Sequence, residues 1–129
     1  MATAFAVYCA DDASLNFYKR DSVPNAGSDF EGKVATNVYT GFEETKYTSY
    51  SSVPWYNNRS NITNVTFVDT ITPISTACWF YDCQALTALD LSNFDTSNVT
   101  DMHNMFYADQ ALATLDLSSF DTSNVTDME

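Results

Sequence analysis

The chain has 129 residues, 45% of them hydrophobic and 15% aromatic, and a net charge of −12. That is one domain's worth of material, long enough for a sizeable core and too apolar to be disordered. Residues 1–60 hold all five basic side chains against seven acids, whereas residues 61–129 hold ten acids and no Lys or Arg. Such a surface repels phosphate backbones, which excludes nucleic acid as a natural partner and favours cations or a basic protein surface.

No apolar run approaches the ~20 residues needed to cross a bilayer, so no membrane span is expected. The opening MATAFAVYCA lacks a basic n-region and runs straight into Asp11 and Asp12, and it reads as a strand rather than a signal peptide. Within it Phe5, Val7 and Cys9 alternate with Ala4, Ala6 and Tyr8, the strand period, which makes Cys9 a buried strand cysteine. A turn at residues 11–14 and a second alternating run over 15–18 complete a hairpin. Residues 21–32, with Pro24, Asn25 and Gly27, read as loop, and Val34, Thr36 and Val38 as a third strand.

Residues 39–56 are rich in aromatics without a clear period. Tyr47, Tyr50, Trp55 and Tyr56 are the candidate binding surface, because Tyr and Trp bury much area while keeping a polar tip. The other reading makes them packing wedges. After a turn over 57–61, Val65 and Phe67 mark one face of a strand over 62–68.

From there a repeat takes over. LDLSNFDTSNVTDM at 89–102 recurs as LDLSSFDTSNVTDM at 115–128, with thirteen of fourteen positions identical at an offset of 26 residues. The offset extends upstream, where Phe80 and Tyr81 match Phe106 and Tyr107. Self-similarity of this period is the mark of stacked units, each burying its apolar edge on the next. Ser75, Asp101 and Asp127 are placed as helix N-caps. Met102, Met105 and Phe106 then lie at i, i+3 and i+4 on one core face of a short helix. Leu86, Leu89 and Leu91 form the strand of each coil, with Phe94, Val99 and their repeats pointing inward. Asn98 and Asn124 are expected to bond neighbouring coils.

The repeated acids raise a question of charge. Strands stacked ~4.8 Å apart put each 26-residue Asp pair in like-charge contact. Asp-Thr-Ser turns supply backbone N–H groups that relieve this. A calcium site at Asp90, Asp95, Asp116 and Asp121 is the alternative, although calcium takes ~6–8 oxygens. Three cysteines exclude a full disulfide framework, and Cys78 with Cys83 is the one pairing considered. His103 is the sole histidine and is expected on the polar side of its helix. With no phosphate-binding glycine loop and no zinc spacing, neither catalysis nor a cofactor is expected.

The repeats, with the lead-in VPWYNNRSNITNVTFVDT and then STACWFYDCQALTALDL, resemble the BspA-like leucine-rich repeat surface proteins of bacteria. The resemblance implies an extracellular or cell-surface location and a non-catalytic role in adhesion or protein binding, with host or extracellular-matrix proteins as partners. The expected fold is α+β and β-rich: a leucine-rich-repeat solenoid of 26-residue coils, each with a short strand and a short helix, capped by an N-terminal β region. Residues 1–68 would form the cap and residues 69–129 about two and a half coils, cut short at the C-terminus. An alternative function is a structural unit that self-associates end to end through Leu115, Leu117, Phe120, Val125 and Met128.

Overall fold

Strand β1 (Thr3–Cys9) is buried on both faces, which is why its alternation carries apolar residues in both registers. Phe5, Val7 and Cys9 pack with Tyr18, Ala35, Phe30 and Val38 on one side. Ala4, Ala6 and Tyr8 face the larger core on the other. Antiparallel β2 (Ser14–Arg20) sets Phe17 directly opposite Ala6, so the small residue leaves room for that ring. The computed structural model describes residues 2–47, 49–107, 109, 123, 125 and 126.

The expected third strand is split. A small hairpin pairs β3 (Asp29–Phe30) with β4 (Lys33–Val34), and β5 (Asn37–Thr40) pairs separately with β1. Glu31 and Gly32 at the hairpin tip have φ of 53° and 81°, as a two-residue turn matching strand twist requires. The interruption falls at Thr36, whose Oγ1 accepts the Ala10 N–H at 3.0 Å.

The hairpin does not stand apart as a cap. β6 (Asn64–Phe67) lies parallel to β2, and the repeat strand β7 (Ala88–Asp90) lies parallel to β6. The result is one five-stranded mixed sheet in the order β5-β1-β2-β6-β7, running from the N-terminal strands into the repeat. On its larger face Phe17 stacks on Phe67 at 4.4 Å, and Phe67 stacks on Phe94 at 4.4 Å. Phe42, Trp55 and Trp79 close around Phe17 at ring separations of 5.3, 5.3 and 5.6 Å.

The α+β leucine-rich-repeat solenoid is therefore not the fold. Among the described residues there is no α-helix, and the N-terminal strands are the centre of the sheet. The helix expected after Asp101 is replaced by successive turns for a specific reason. An α-helix sends each N–H to the carbonyl four residues earlier. Here Thr76, Cys78, Phe80 and Asp82 instead donate to the carbonyls of Asp101, His103, Met105 and Tyr107, at 3.0, 3.0, 2.9 and 2.7 Å. Cys78 and Asn104, 26 residues apart, both take left-handed φ (62° and 54°), which a helix cannot contain. The apolar spacing still reports burial, since Met102 and Met105 lie in the core. Ser75 and Asp101 cap turns: Ser75 Oγ accepts the Ala77 N–H at 3.2 Å, and Asp101 Oδ1 accepts that of His103 at 3.0 Å.

The period of 26 residues survives as a hydrogen-bond register. Asn93 Nδ2 donates to the Phe67 carbonyl at 2.9 Å. The Thr100 N–H reaches the Ile74 carbonyl at 3.0 Å, and that of Thr126 reaches the Thr100 carbonyl at 2.8 Å. Asn98, expected as the bonding residue, is exposed instead, and Asn124 lies outside the described residues. Cys9, Cys78 and Cys83 are all buried free thiols, so the Cys78–Cys83 pairing is not made. Burial raises the pKa of each, which keeps them protonated and unreactive.

Candidate interaction face

Among the aromatics proposed as a platform, Trp55 is 0% exposed, and its Nε1 donates to the Trp79 carbonyl at 2.6 Å. Tyr47 is also buried. These two are core residues, and the Trp55 ring packs edge-on against Phe17 and Phe42. Tyr50 belongs to a single 3₁₀ turn (Tyr50–Ser52). Tyr56 is half-buried and opens the next one (Tyr56–Asn58), and it alone of the four has a described place at the surface.

What stands beside Tyr56 was not singled out from the sequence. Arg59 follows the turn, and its guanidinium carbon lies 3.9 Å from the Tyr56 ring centroid. Its Nε donates to Asp82 Oδ2 at 3.3 Å, and Gln84 Nε2 donates to the other oxygen at 2.7 Å. Asp82 sits at φ 57°, and its N–H donates to the Tyr107 carbonyl, tying the cluster to the next coil. There Tyr107 stacks on Tyr81, 4.8 Å apart with planes 6° from parallel. Tyr107 is 56% exposed, the most of any large apolar side chain described. Inward of this pair Phe80 stacks on Phe106 at 5.9 Å, so the inner stack is core and the outer one surface. The signal available in the sequence was the recurrence of Phe-Tyr at the 26-residue offset.

Asp109 completes the cluster. Its Oδ1 accepts the Cys83 N–H at 2.8 Å, and its buried Oδ2 has no hydrogen-bond partner among the described residues. Burial, with the nearby Asp82 charge added, pushes its carboxyl up to about 7 despite the Cys83 bond.

The acids proposed for calcium behave as turn residues. Asp90 Oδ1 accepts the Ser92 N–H at 3.0 Å and Asp95 Oδ1 that of Ser97 at 2.9 Å. The Ser92 side-chain and backbone bonds hold Asp90 below the usual carboxylate range. Among the described residues no three His, Cys, Asp or Glu side chains gather as a metal would require. Asp116 and Asp121 lie outside the described residues, as do Leu115, Leu117, Phe120 and Met128 of the proposed assembly end; Val125 is half-buried. His103 is committed too, with Nδ1 2.6 Å from Asp101 Oδ1 and Lys46 Nζ 3.7 Å from the other oxygen. Burial works against ionising Asp101, yet the His103 bonds and the Lys46 charge pull its pKa down.

Lys19 pairs with Glu43, Arg20 with Glu31 and Asp69, and Lys33 with Asp12. Lys46 pairs with Asp101 and Arg59 with Asp82. All five basic side chains of the sequence are thus taken up internally, by six of its seventeen acids. No helix among the described residues is long and apolar enough to cross a membrane.

Residues 72–129 match the model of a family described as a Mycoplasma protein of unknown function, DUF285. That match takes in the repeats and leaves out the first six strands. No curated protein and no solved structure matches the chain.

Proposed function

We propose that the chain is a non-catalytic surface or secreted module that binds other proteins, of the kind the BspA-like surface proteins represent. One observation carries this reading: all five basic side chains are spent on internal ion pairs, in a chain whose seventeen acids leave it with a net charge of −12. Summed over a surface, such an excess attracts a basic partner and speeds its approach. The resemblance of the repeats within residues 72–129 to the BspA-like surface proteins supports the same reading. Partners of this description include basic host or extracellular-matrix proteins, met outside the cell.

The test is an immobilised-chain binding assay against basic and acidic extracellular-matrix proteins at low and high salt. Binding to the basic set alone, weakening as salt rises through physiological strength, is the expected result. Binding to neither set, or equal binding to both regardless of salt, overturns it.

A further inference from the structure

The sequence holds five Asn-X-Ser/Thr triplets, beginning at Asn58, Asn61, Asn64, Asn98 and Asn124. On an exported chain such a triplet can accept a sugar on its asparagine amide, provided that amide is free and at the surface. The fold separates the five by that criterion. Asn58 Nδ2 donates to Asn37 Oδ1 and to the Tyr39 hydroxyl. Asn64 stands in β6, and its Nδ2 donates to the Asp12 carbonyl and to Thr63 Oγ1. Asn61 is exposed, but the hydroxyl of Thr63, the third residue of its triplet, donates to the Ala13 carbonyl at 3.2 Å. Asn124 lies outside the described residues.

Asn98 differs from these. It is the third residue of a four-residue turn closed by the bond from the Val99 N–H to the Thr96 carbonyl at 3.0 Å. Thr96 and Val99 are buried and anchor the turn, which leaves Asn98 exposed between them. Its side-chain amide has no partner among the described residues. Thr100, the third residue of the triplet, is exposed too, with its hydroxyl 3.5 Å from the Ile74 carbonyl, the far limit of a hydrogen bond. We propose that Asn98 is a glycosylation site whose co-substrate is a lipid-linked oligosaccharide diphosphate. Asn98 Nδ2 attacks the anomeric carbon, the bond from that carbon to the diphosphate oxygen breaks, and the lipid diphosphate leaves with the electron pair. The amide proton passes to a base of the transferase, and nothing is oxidised or reduced. The inference rests on the surface or secreted reading above and adds a modification to it.

The experiment incubates the folded chain, and synthetic peptides spanning each triplet, with an oligosaccharyltransferase and a lipid-linked oligosaccharide, and reads site occupancy by mass spectrometry. The peptides are expected to accept the sugar at every triplet. In the folded chain occupancy at Asn98 should exceed that at Asn58 and Asn64 roughly tenfold or more, because freeing either of those amides breaks two hydrogen bonds. Thr100→Ala should abolish the product at Asn98, whereas Thr100→Ser, which keeps the hydroxyl, should retain it. Equal occupancy at Asn58, Asn64 and Asn98 in the folded chain overturns the proposal, as does an Asn98 left unmodified there, or one modified regardless of Thr100. An unmodified chain that still binds basic matrix proteins loses the site and keeps the protein-binding function. A chain modified at Asn98 that binds none of them keeps the site and loses that function.

Discussion

Trp55 and Trp79 are 0% and 1% exposed and share a core, yet replacing each by Phe should give quite different losses. Both rings contact Phe17 and Phe42, at 5.3 and 5.6 Å for Trp55 and at 5.6 and 5.6 Å for Trp79, so the volume removed and the cavity left are alike. The difference lies in the indole N–H. Trp55 Nε1 donates to the Trp79 carbonyl at 2.6 Å, and losing it strands a buried acceptor, at a cost of ~1–3 kcal/mol beyond the cavity. Trp79 Nε1 is buried with no acceptor among the described residues, so Trp79→Phe removes an unmet donor and should recover a similar ~1–3 kcal/mol. Even the low ends together make Trp55→Phe worse than Trp79→Phe by ~2 kcal/mol. In urea unfolding with a slope of ~2 kcal/mol per molar, that separates the two midpoints by about 1 M. Equal midpoints, or a lower one for Trp79→Phe, would refute the reasoning, because size alone would then explain both losses.

Two further outcomes follow from single groups. Asp109 has a folded-state pKa raised from 3.8 to about 7, so its contribution is fully present below about pH 4 and is lost as pH rises through about 7. A shift of that size is worth ~4 kcal/mol at full strength, and solvent screening of this half-exposed group brings the expected loss to ~1–2 kcal/mol. Asp109→Asn should remove that decline between about pH 4 and about pH 7 in denaturant titrations; an unchanged slope would show that Asp109 is not its source. Asn104, at φ 54°, should tolerate Gly and lose ~1–2 kcal/mol on replacement by Val, which resists the left-handed region. Equal melting temperatures for the Gly and Val variants would mean that this turn is not held as described.

Much of the sheet was legible because its period is local. The alternation in residues 3–9 and the burial of Val65 and Phe67 both stand in β1 and β6. The sheet order was not legible, since parallel pairing of β2 with β6 joins Leu15 to Val65 with no turn between them to betray it. The helix was misread because Met102, Met105 and Phe106 keep the same spacing in a run of turns as in a helix. Only the backbone donors distinguish the two, and they leave no mark in side-chain polarity. Asn104 was the one cue, as a residue that enters left-handed φ readily. At the surface, Trp55 looked like a platform because its chemistry suits either interface or core, and burial by Phe17 and Phe42 decided for the core. Tyr107 went unnoticed because a repeated aromatic reads as packing; the turn between Phe106 and Tyr107 aims one ring inward and exposes the other.

The most direct measurement is the nuclear Overhauser pattern and amide exchange of the isotope-labelled chain across residues 76–107. Alternate amides at Cys78, Phe80 and Asp82 are expected to be protected and to lie close to residues 103, 105 and 107 of the neighbouring segment. Residues 102–107 should give no helical series of contacts three and four positions apart. A continuous helical series there, with the Cys78 and Phe80 amides bonded within their own segment, would contradict the coil-to-coil hydrogen bonding on which the sheet, and the face built at its end, depend.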